Sequence, residues 1–374
     1  MNKKEVRKAP VLRFKGFTND WEQHTLGDFG SVAMNKRIFK NQTTDKGDVP
    51  FFKISTFGKK ADSFISNNLF EKYKEKYPYP QKGDLLISAS GSIGRIVEYK
   101  GQKAYYQDSN IVWLNHNKEL LNIYLKAYYQ IIHWHGIEGS TIKRLYNKNI
   151  LATSIFVPDK KEQYELGKLI KKAEKIISLQ QRRLESFQFT YHEIIRRLFL
   201  KKAKWQQTKL SDLVTILDKN RKPVKKEDRL FGDTPYYGAN GIQDYISGFT
   251  HKGEFILIAE DGANNLTEYP IYFVKGQIWV NNHAHVLKVN KDVSPLFLTL
   301  ALKQINYSKY TVGSSRNKLN LKDLENIAIF IPDNNEQQKI GQFYSNYLNY
   351  LRINKKRIQY MKQFKQFLLQ NMFI

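Results

Sequence analysis

Residues 155–163 read IFVPDKKEQ and residues 329–337 read IFIPDNNEQ, 174 positions apart and identical at six of nine. A phrase that recurs at this distance constrains the fold strongly, because both copies have to suit equivalent surroundings. STIKRL (140–145) aligns with SSRNKL (314–319), and Leu145 with Leu319 and Gly167 with Gly341 keep the same offset. The offset holds to the end, where residue 200 answers to residue 374. Upstream it drifts: KGDLLISASGSIG (82–94) resembles KGEFILIAEDGANN (252–265) at an offset of 170, and Trp21 resembles Trp205 at 184. Each half therefore has a front part of variable length and a back part of fixed length.

The back parts read as long helices. Pro158 and Pro332 end an apolar β-like run, and Asp159 or Asp333 follows as an N-cap with Glu162 or Glu336 three residues on, the capping-box pattern. From there Leu166, Ile170, Ala173, Ile177, Gln180, Leu184, Phe187, Tyr191, Ile194 and Leu198 alternate spacings of four and three, a heptad seam. The second copy repeats it with Ile340, Tyr344, Tyr347, Leu351, Asn354, Ile358, Met361, Lys365, Leu368 and Met372. Each helix is about 40 residues, hence ~60 Å long. Two such seams in one chain pair most simply with each other. The long intervening segment permits either direction, and antiparallel pairing is the expected one. Gln180 and Asn354, the lone amides at mid-seam, are expected to meet if the helices overlap fully.

The front parts read as mixed α/β. Short apolar strands such as DLLIS (84–88), IVWL (111–114), EFILIA (254–259) and HVLKV (285–289) are separated by Gly, Asn and Asp turns, with helices expected at 120–135 and 294–305. The expected fold class is α+β: two similar α/β domains joined by two long helices forming an antiparallel coiled coil, a pseudo-twofold internal repeat. The segments are 1–157, 158–200, 201–331 and 332–374.

Charge bears on the partner. Lys plus Arg is 61 against 35 Asp plus Glu, a formal net charge of +26, with 23 Tyr and 23 Phe. That balance suits a polyanion, nucleic acid first. A compositional bias toward Lys, Asn, Tyr, Ile and Phe accounts for part of the Lys excess. With no cysteine, disulfides and Cys-based zinc sites are excluded, which fits a reducing cytosol. The basic start is not followed by an apolar run, so it does not read as a secretory signal, and no stretch has the ~18 apolar residues of a membrane span.

Enzyme signatures are missing. There is no phosphate-binding G-x-x-x-x-G-K-[ST] loop and no Asn-Pro-Pro-aromatic run, and Gly91-Ser92-Ile93-Gly94 is too short a signal for a cofactor loop. Capping explains the acids of the repeated phrase without a metal. His133 with His135 and His283 with His285 have H-x-H spacing but no third ligand, so no metal is expected. For the second pair, a DNA-facing and a core-polar role are equally open.

The doubled [IV]-P-D-x-x-E-Q phrase with its helix, LRFKGFTNDWEQHTLGD (12–28), the Gly-Ser segment before each phrase, and PYYGANGI (235–242) with NNHAHVL (281–287) resemble the specificity subunit of type I restriction–modification systems. The resemblance covers nearly the whole chain. It implies that residues 1–157 and 201–331 are target recognition domains, each reading one half of a bipartite double-stranded DNA site, asymmetric because the two readers differ. It implies that 158–200 and 332–374 are spacer helices that also dock two methyltransferase subunits, with restriction/translocase subunits joining them. The subunit itself is then non-catalytic and cytoplasmic. No cofactor is expected on this chain; S-adenosylmethionine, ATP and Mg are expected on the partner subunits. The other readings are a self-contained DNA-modifying enzyme and a coiled-coil nucleic-acid-binding adaptor.

Candidate DNA contacts lie in basic or amide-rich loops. Lys143 and Arg144, and their counterparts Arg316 and Lys318, sit beside a Gly-Ser turn that suits phosphate contact. In DKNRKPVKKEDR (218–229), Arg221 has the fork of a guanine reader, and Lys222 lies beside it; a solvated basic loop is the competing reading. Asn240, Asn264, Asn282 and His283 are polar groups at turns or strand ends, where Asn is also the ordinary turn residue. In the first domain Lys53, Ser90, Ser92, Arg95, Tyr106, Gln107 and Asn110 take similar positions, although an aromatic at 105 or 106 also suits a core.

Overall fold

The computed structural model describes residues 9–137, 143–200, 205–263, 265–266, 268–313 and 317–374. The chain divides into two compact units, residues 1–181 with 357–374 and residues 182–356.

The first unit runs through β1 (Glu22–Thr25), β2 (Gly30–Ala33), β3 (Val49–Phe52), β4 (Ser63–Ile65), α1 (Asn67–Lys76), β5 (Leu85–Ser88), β6 (Ile96–Glu98), β7 (Tyr105–Tyr106), β8 (Ile111–His116), α2 (Asn122–Tyr128), α3 (Asn147–Leu151) and β9 (Ser154–Val157), and then into α4 (Lys160–Leu200). β2, β8, β5 and β6 form an antiparallel sheet in that order. β4, β3 and β7 form a second sheet, with β3 and β7 parallel. β5 is buried at all four residues, as expected of an unbroken apolar run at the centre of a sheet. β1 pairs with β9, Glu22 opposite Val157, so the front part closes on itself where it meets α4. The helix expected at 120–135 is shorter. Gln130 N bonds to Ala127 O and Ile131 N to Tyr128 O, a tightened final turn.

The second unit contains β10 (Gln206–Lys209), α5 (Leu210–Leu213), β11 (Val214–Ile216), β12 (Phe231–Gly238), β13 (Gly241–Ile246), β14 (His251–Ala259), β15 (Ile271–Val280), β16 (Ala284–Val289), α6 (Pro295–Leu302), β17 (Thr311–Val312), β18 (Lys318–Leu319), α7 (Leu321–Glu325) and β19 (Ala328–Ile331), followed by α8 (Asn334–Met372). Its six-stranded sheet has the order β11-β16-β14-β15-β12-β13, the β12–β15 pair being parallel. β10 pairs with β19, Gln206 opposite Ile331, which repeats the β1–β9 closure at offsets of 184 and 174. Ser294 caps α6 and Pro295 opens it, a favoured start.

The repeated phrase builds the same joint in both units. Asp159 Oδ1 accepts from Glu162 N at 2.9 Å, and Asp333 Oδ1 from Glu336 N at 2.9 Å. The capping box is only half formed in the first unit. The Glu162 carboxylate leaves its own helix and receives Arg13 at 2.7 Å and Trp21 Nε1 at 3.2 Å. The glutamine that ends the phrase is a latch. Gln163 donates to Pro158 O at 3.0 Å and accepts from Leu121 N, just before α2, at 2.8 Å. Gln337 donates to Pro332 O at 3.0 Å and accepts from Ser294 N, just before α6, at 3.0 Å. The paired glycines let the helices lie close: a Cβ on Gly167 would stand 2.5 Å from Ile123 O, and one on Gly341 2.8 Å from Ser294 Oγ.

In each unit the start of one long helix packs beside the end of the other, so the pair is antiparallel. Leu166 and Ile170 share a core with Leu368, Leu369, Met372 and Phe373 in the first unit. Tyr191 and Ile195 share one with Ile340, Tyr344 and Tyr347 in the second, where the rings of Tyr191 and Tyr347 stack at 3.3 Å. The seam departs from the strict heptad here: Ile195 is buried and Ile194 is 46% exposed. A straight helix of 3.6 residues per turn drifts against a 3.5 repeat and swings the next residue inward. Asn354 spends its amide within its own helix, donating to Tyr350 O at 2.9 Å.

Candidate nucleic-acid interface

In the first unit, β5 ends at Ser88 and the chain turns through Gly91, whose φ is +65°. Ala89 N donates to Asn110 O at 2.8 Å, and Ala89 O accepts from Leu145 N at 2.9 Å. Ser90 forms an isolated β-bridge with Arg144, and its hydroxyl donates to Asn110 Oδ1 at 2.7 Å. Ser90, Asn110 and Arg144, far apart in sequence, therefore meet where three segments join. Lys143 and Arg144 are exposed there. Ser109, at φ +59°, turns the chain immediately before Asn110.

The second unit repeats the junction bond for bond. Glu260 N donates to His283 O at 2.9 Å, Glu260 O accepts from Leu319 N at 2.6 Å, and Asp261 bridges to Lys318. Gly262 turns with φ +66°. The side-chain pair is now Asp261 with His283, Oδ1 to Nδ1 at 2.6 Å. These correspondences set the local offset at 171 for the β5 and β14 turns, one more than the sequence comparison suggests. Asn240 joins the same place, donating to Gly262 O at 2.9 Å. Lys318 lies 3.4 Å from Glu260 and is half-exposed, and Asn282 is exposed beside His283. Asn264 and Arg316 lie outside the described residues.

The other candidates in the first unit are scattered. Lys53 pairs with Asp62 at 2.8 Å. Arg95 is exposed but donates to Phe57 O at 2.9 Å. Ser92 is exposed, and Gln107 ties Ile54 N at 2.9 Å. Tyr106 is a correction: it is 2% exposed, packs with Phe57, Tyr99 and Trp113, and accepts from Gln102. Burial raises its phenol above the ordinary value. Its ring belongs to the core because β7, the edge strand beside β3, is covered by Leu86, Ile111 and Trp113 of β5 and β8, and both of its residues are buried.

Arg221 is a second correction. Its guanidinium donates to Glu260 at 2.7 Å, to Ala284 O at 2.9 Å and to Asp218 O at 3.1 Å, with its side chain 15% exposed. A fork so committed ties the sheet together and does not face a base edge. Lys222, next to it, is exposed, and its carbonyl accepts from Trp279 Nε1 at 2.7 Å.

The two histidines of the 283/285 pair diverge. His283 stands at the junction. His285 is buried, with Nδ1 2.5 Å from Asp218 and Nε2 2.9 Å from Leu319 O. Burial pushes the Asp218 carboxyl up, but the hydrogen bond and charge of His285 outweigh it, and the group ends below its ordinary value. Among the described residues, Asp218, Glu260 and His285 bring their ligand-type atoms within 4.8 Å of one another. Arg221 and Lys318 already supply positive charge to this cluster, so it carries no metal reading. Sequence reasoning passed over Asp218 and Glu260, which have no local signature, and Arg37, which reaches Asp108 at 2.8 Å in the turn before Asn110. No helix among the described residues is long and apolar enough to cross a membrane.

A family model described as the type I restriction modification DNA specificity domain matches residues 18–187 and again 202–363. A putative type I restriction enzyme specificity subunit of Haemophilus influenzae is 55% identical over 150 residues, covering 40% of this chain and 39% of that protein. A type I restriction enzyme specificity subunit of Methanocaldococcus jannaschii is 24% identical over 180 residues, covering 45% and 42%. The chain thus spans less than half the length of the curated relatives it matches. Among solved structures, the S subunit of a type I restriction–modification system from M. genitalium superposes with a TM-score of 0.67 at 17% identity, over 98% of this chain and 99% of that one. A chain from a study of complex assembly and conformational transition of the type I system gives 0.54 at 14% identity, over 94% and 97%. These two likenesses are of fold.

Proposed function

Because the chain belongs to the type I restriction–modification DNA specificity family, we propose that it is the non-catalytic subunit that gives such a complex its DNA sequence preference. Each unit's front part reads one half of an asymmetric bipartite duplex site. The long helices, of 41 and 39 residues, act as the spacer and dock two methyltransferase subunits. Restriction/translocase subunits join that core in the cytoplasm, and S-adenosylmethionine, ATP and Mg act on those partners.

The observation that carries this reading is the duplicated junction. One backbone frame appears twice with a retained cation, Arg144 or Lys318, and different polar pairs. A protein that reads two unlike half-sites needs that combination. The formal charge of +26 supports a duplex partner, and helices ~60 Å long suit half-sites about one to two DNA turns of 34 Å apart.

The test is methylation mapping of genomic DNA from cells expressing methyltransferase subunits with and without this chain. Adenine methylation at a split, asymmetric site that depends on the chain supports the proposal. Methylation or cleavage by the purified chain alone overturns it and favours a self-contained DNA-modifying enzyme.

A further inference from the structure

We propose that Ser90–Asn110 and Asp261–His283 are equivalent base-reading positions, and that the change of side chains between them gives the two half-sites different base preferences. This rests on the DNA-reading function proposed above.

The equivalence is geometric. The Ala89 N to Asn110 O bond corresponds to Glu260 N to His283 O, and the Leu145 N to Ala89 O bond to Leu319 N to Glu260 O. The Ser90–Arg144 bridge corresponds to Asp261–Lys318. Gly91 and Gly262 turn at +65° and +66°. Around this shared backbone the residues sort by role. The cation is kept, as phosphate contact requires in any sequence. The pair is not kept, as base reading requires when the sequences differ.

Each pair is also a built unit. The Ser90 hydroxyl fixes the Asn110 amide at 2.7 Å, and Asp261 fixes the His283 ring at 2.6 Å. A fixed amide, with donor and acceptor side by side, matches the N6 and N7 edge of adenine, so an A·T pair is expected opposite Asn110. An imidazole held by a carboxylate has no such fork, so the corresponding position of the other half-site is expected to hold a different preference.

The test uses the complete complex with methyltransferase partners and reads base preference at every position of the methylated site. Asn110→Asp keeps the oxygen that accepts from Ser90 and removes the amide donor, so the turn stays tied. The expected result is a roughly tenfold loss of preference for A·T at one position of one half-site, with the other half-site unchanged. The reciprocal double variant Asp261→Ser with His283→Asn is expected to move the preference of the other half-site toward A·T. If both variants assemble and methylate the original site with unchanged preference, the pairs only tie turns and the inference is overturned. Should the unaltered chain confer no split site at all, the failure lies in the DNA-reading function itself.

Discussion

Gln163 holds the backbone N–H of Leu121 at 2.8 Å, joining the first turn of α4 to the start of α2. The same side chain donates to Pro158 O and Glu119 O. Gln163→Leu has similar volume and none of these bonds, and it leaves Leu121 N–H unpaired in a closed setting. The expected cost is about 1–3 kcal/mol, seen as a lower thermal midpoint of the full chain. Gln337→Leu is expected to behave alike, since Gln337 repeats the latch.

The paired glycines are expected to differ. An added Cβ at Gly167 meets the Ile123 carbonyl backbone at 2.5 Å, whereas at Gly341 the nearest atom belongs to a side chain, the Ser294 hydroxyl, at 2.8 Å. Gly167→Ala is therefore the more damaging change, by about 1–3 kcal/mol of overpacking strain. Comparing the urea midpoints of the two variants checks the order, and equal loss contradicts it.

Arg221 predicts a stability phenotype ahead of a specificity phenotype. Arg221→Ala leaves Glu260 and Asp218 without their guanidinium, at a cost on the order of 3 kcal/mol. If the protein keeps its melting temperature and loses discrimination at one base, the assignment to the sheet is wrong.

His251 gives a pH dependence of known sign. Burial lowers its imidazole below the ordinary 6.5, against the opposing pull of the Leu217 carbonyl and Asp218. The folded chain prefers the ring neutral, while the unfolded chain takes up a proton sooner as pH falls. Its stabilising share is whole above pH 6.5 and declines as pH drops below that value. Melting temperatures from pH 7.5 to 5.5 are expected to fall less steeply in His251→Gln than in the unaltered chain.

Lys143 and Arg144 are exposed at the first junction. Replacing both with Ala is expected to weaken DNA binding by the assembled complex without changing the site, and to reduce the salt slope by up to about two. Binding titrations across a salt series check this.

The repeat made the architecture readable because it reports on equivalence without requiring any residue to be interpreted. Asp159 and Asp333 were legible as caps from their place after proline. The latch was not: Gln163 and Gln337 stand in the quoted phrase, but their partners Leu121 and Ser294 lie 42 and 43 residues upstream, brought close only by the tertiary fold. The same limit applied at the junction. Asn110, Arg144 and His283 read in the sequence as separate polar or basic turn residues; the meeting of Asn110 with Ser90 depends on the pairing of β5 with β8, and that of His283 with Asp261 on the pairing of β14 with β16. Arg221 and Tyr106 misled because residue type was read without depth. A guanidinium suits carboxylates as well as guanine, and two adjacent tyrosines in a short strand can both be buried, as Tyr105 and Tyr106 are.

The closure of each front part by one short ladder, β1 with β9 and β10 with β19, has a mechanical consequence. The chain enters and leaves at neighbouring points, as an inserted cassette does. Loops, hairpins and whole strands between those points can lengthen or be replaced without altering the strand pair that holds the helix start. The drift from 184 through 171 to 174 records such changes already tolerated within one molecule. Front part and helical frame are thus free to vary independently, because the seam between them is only a few residues wide.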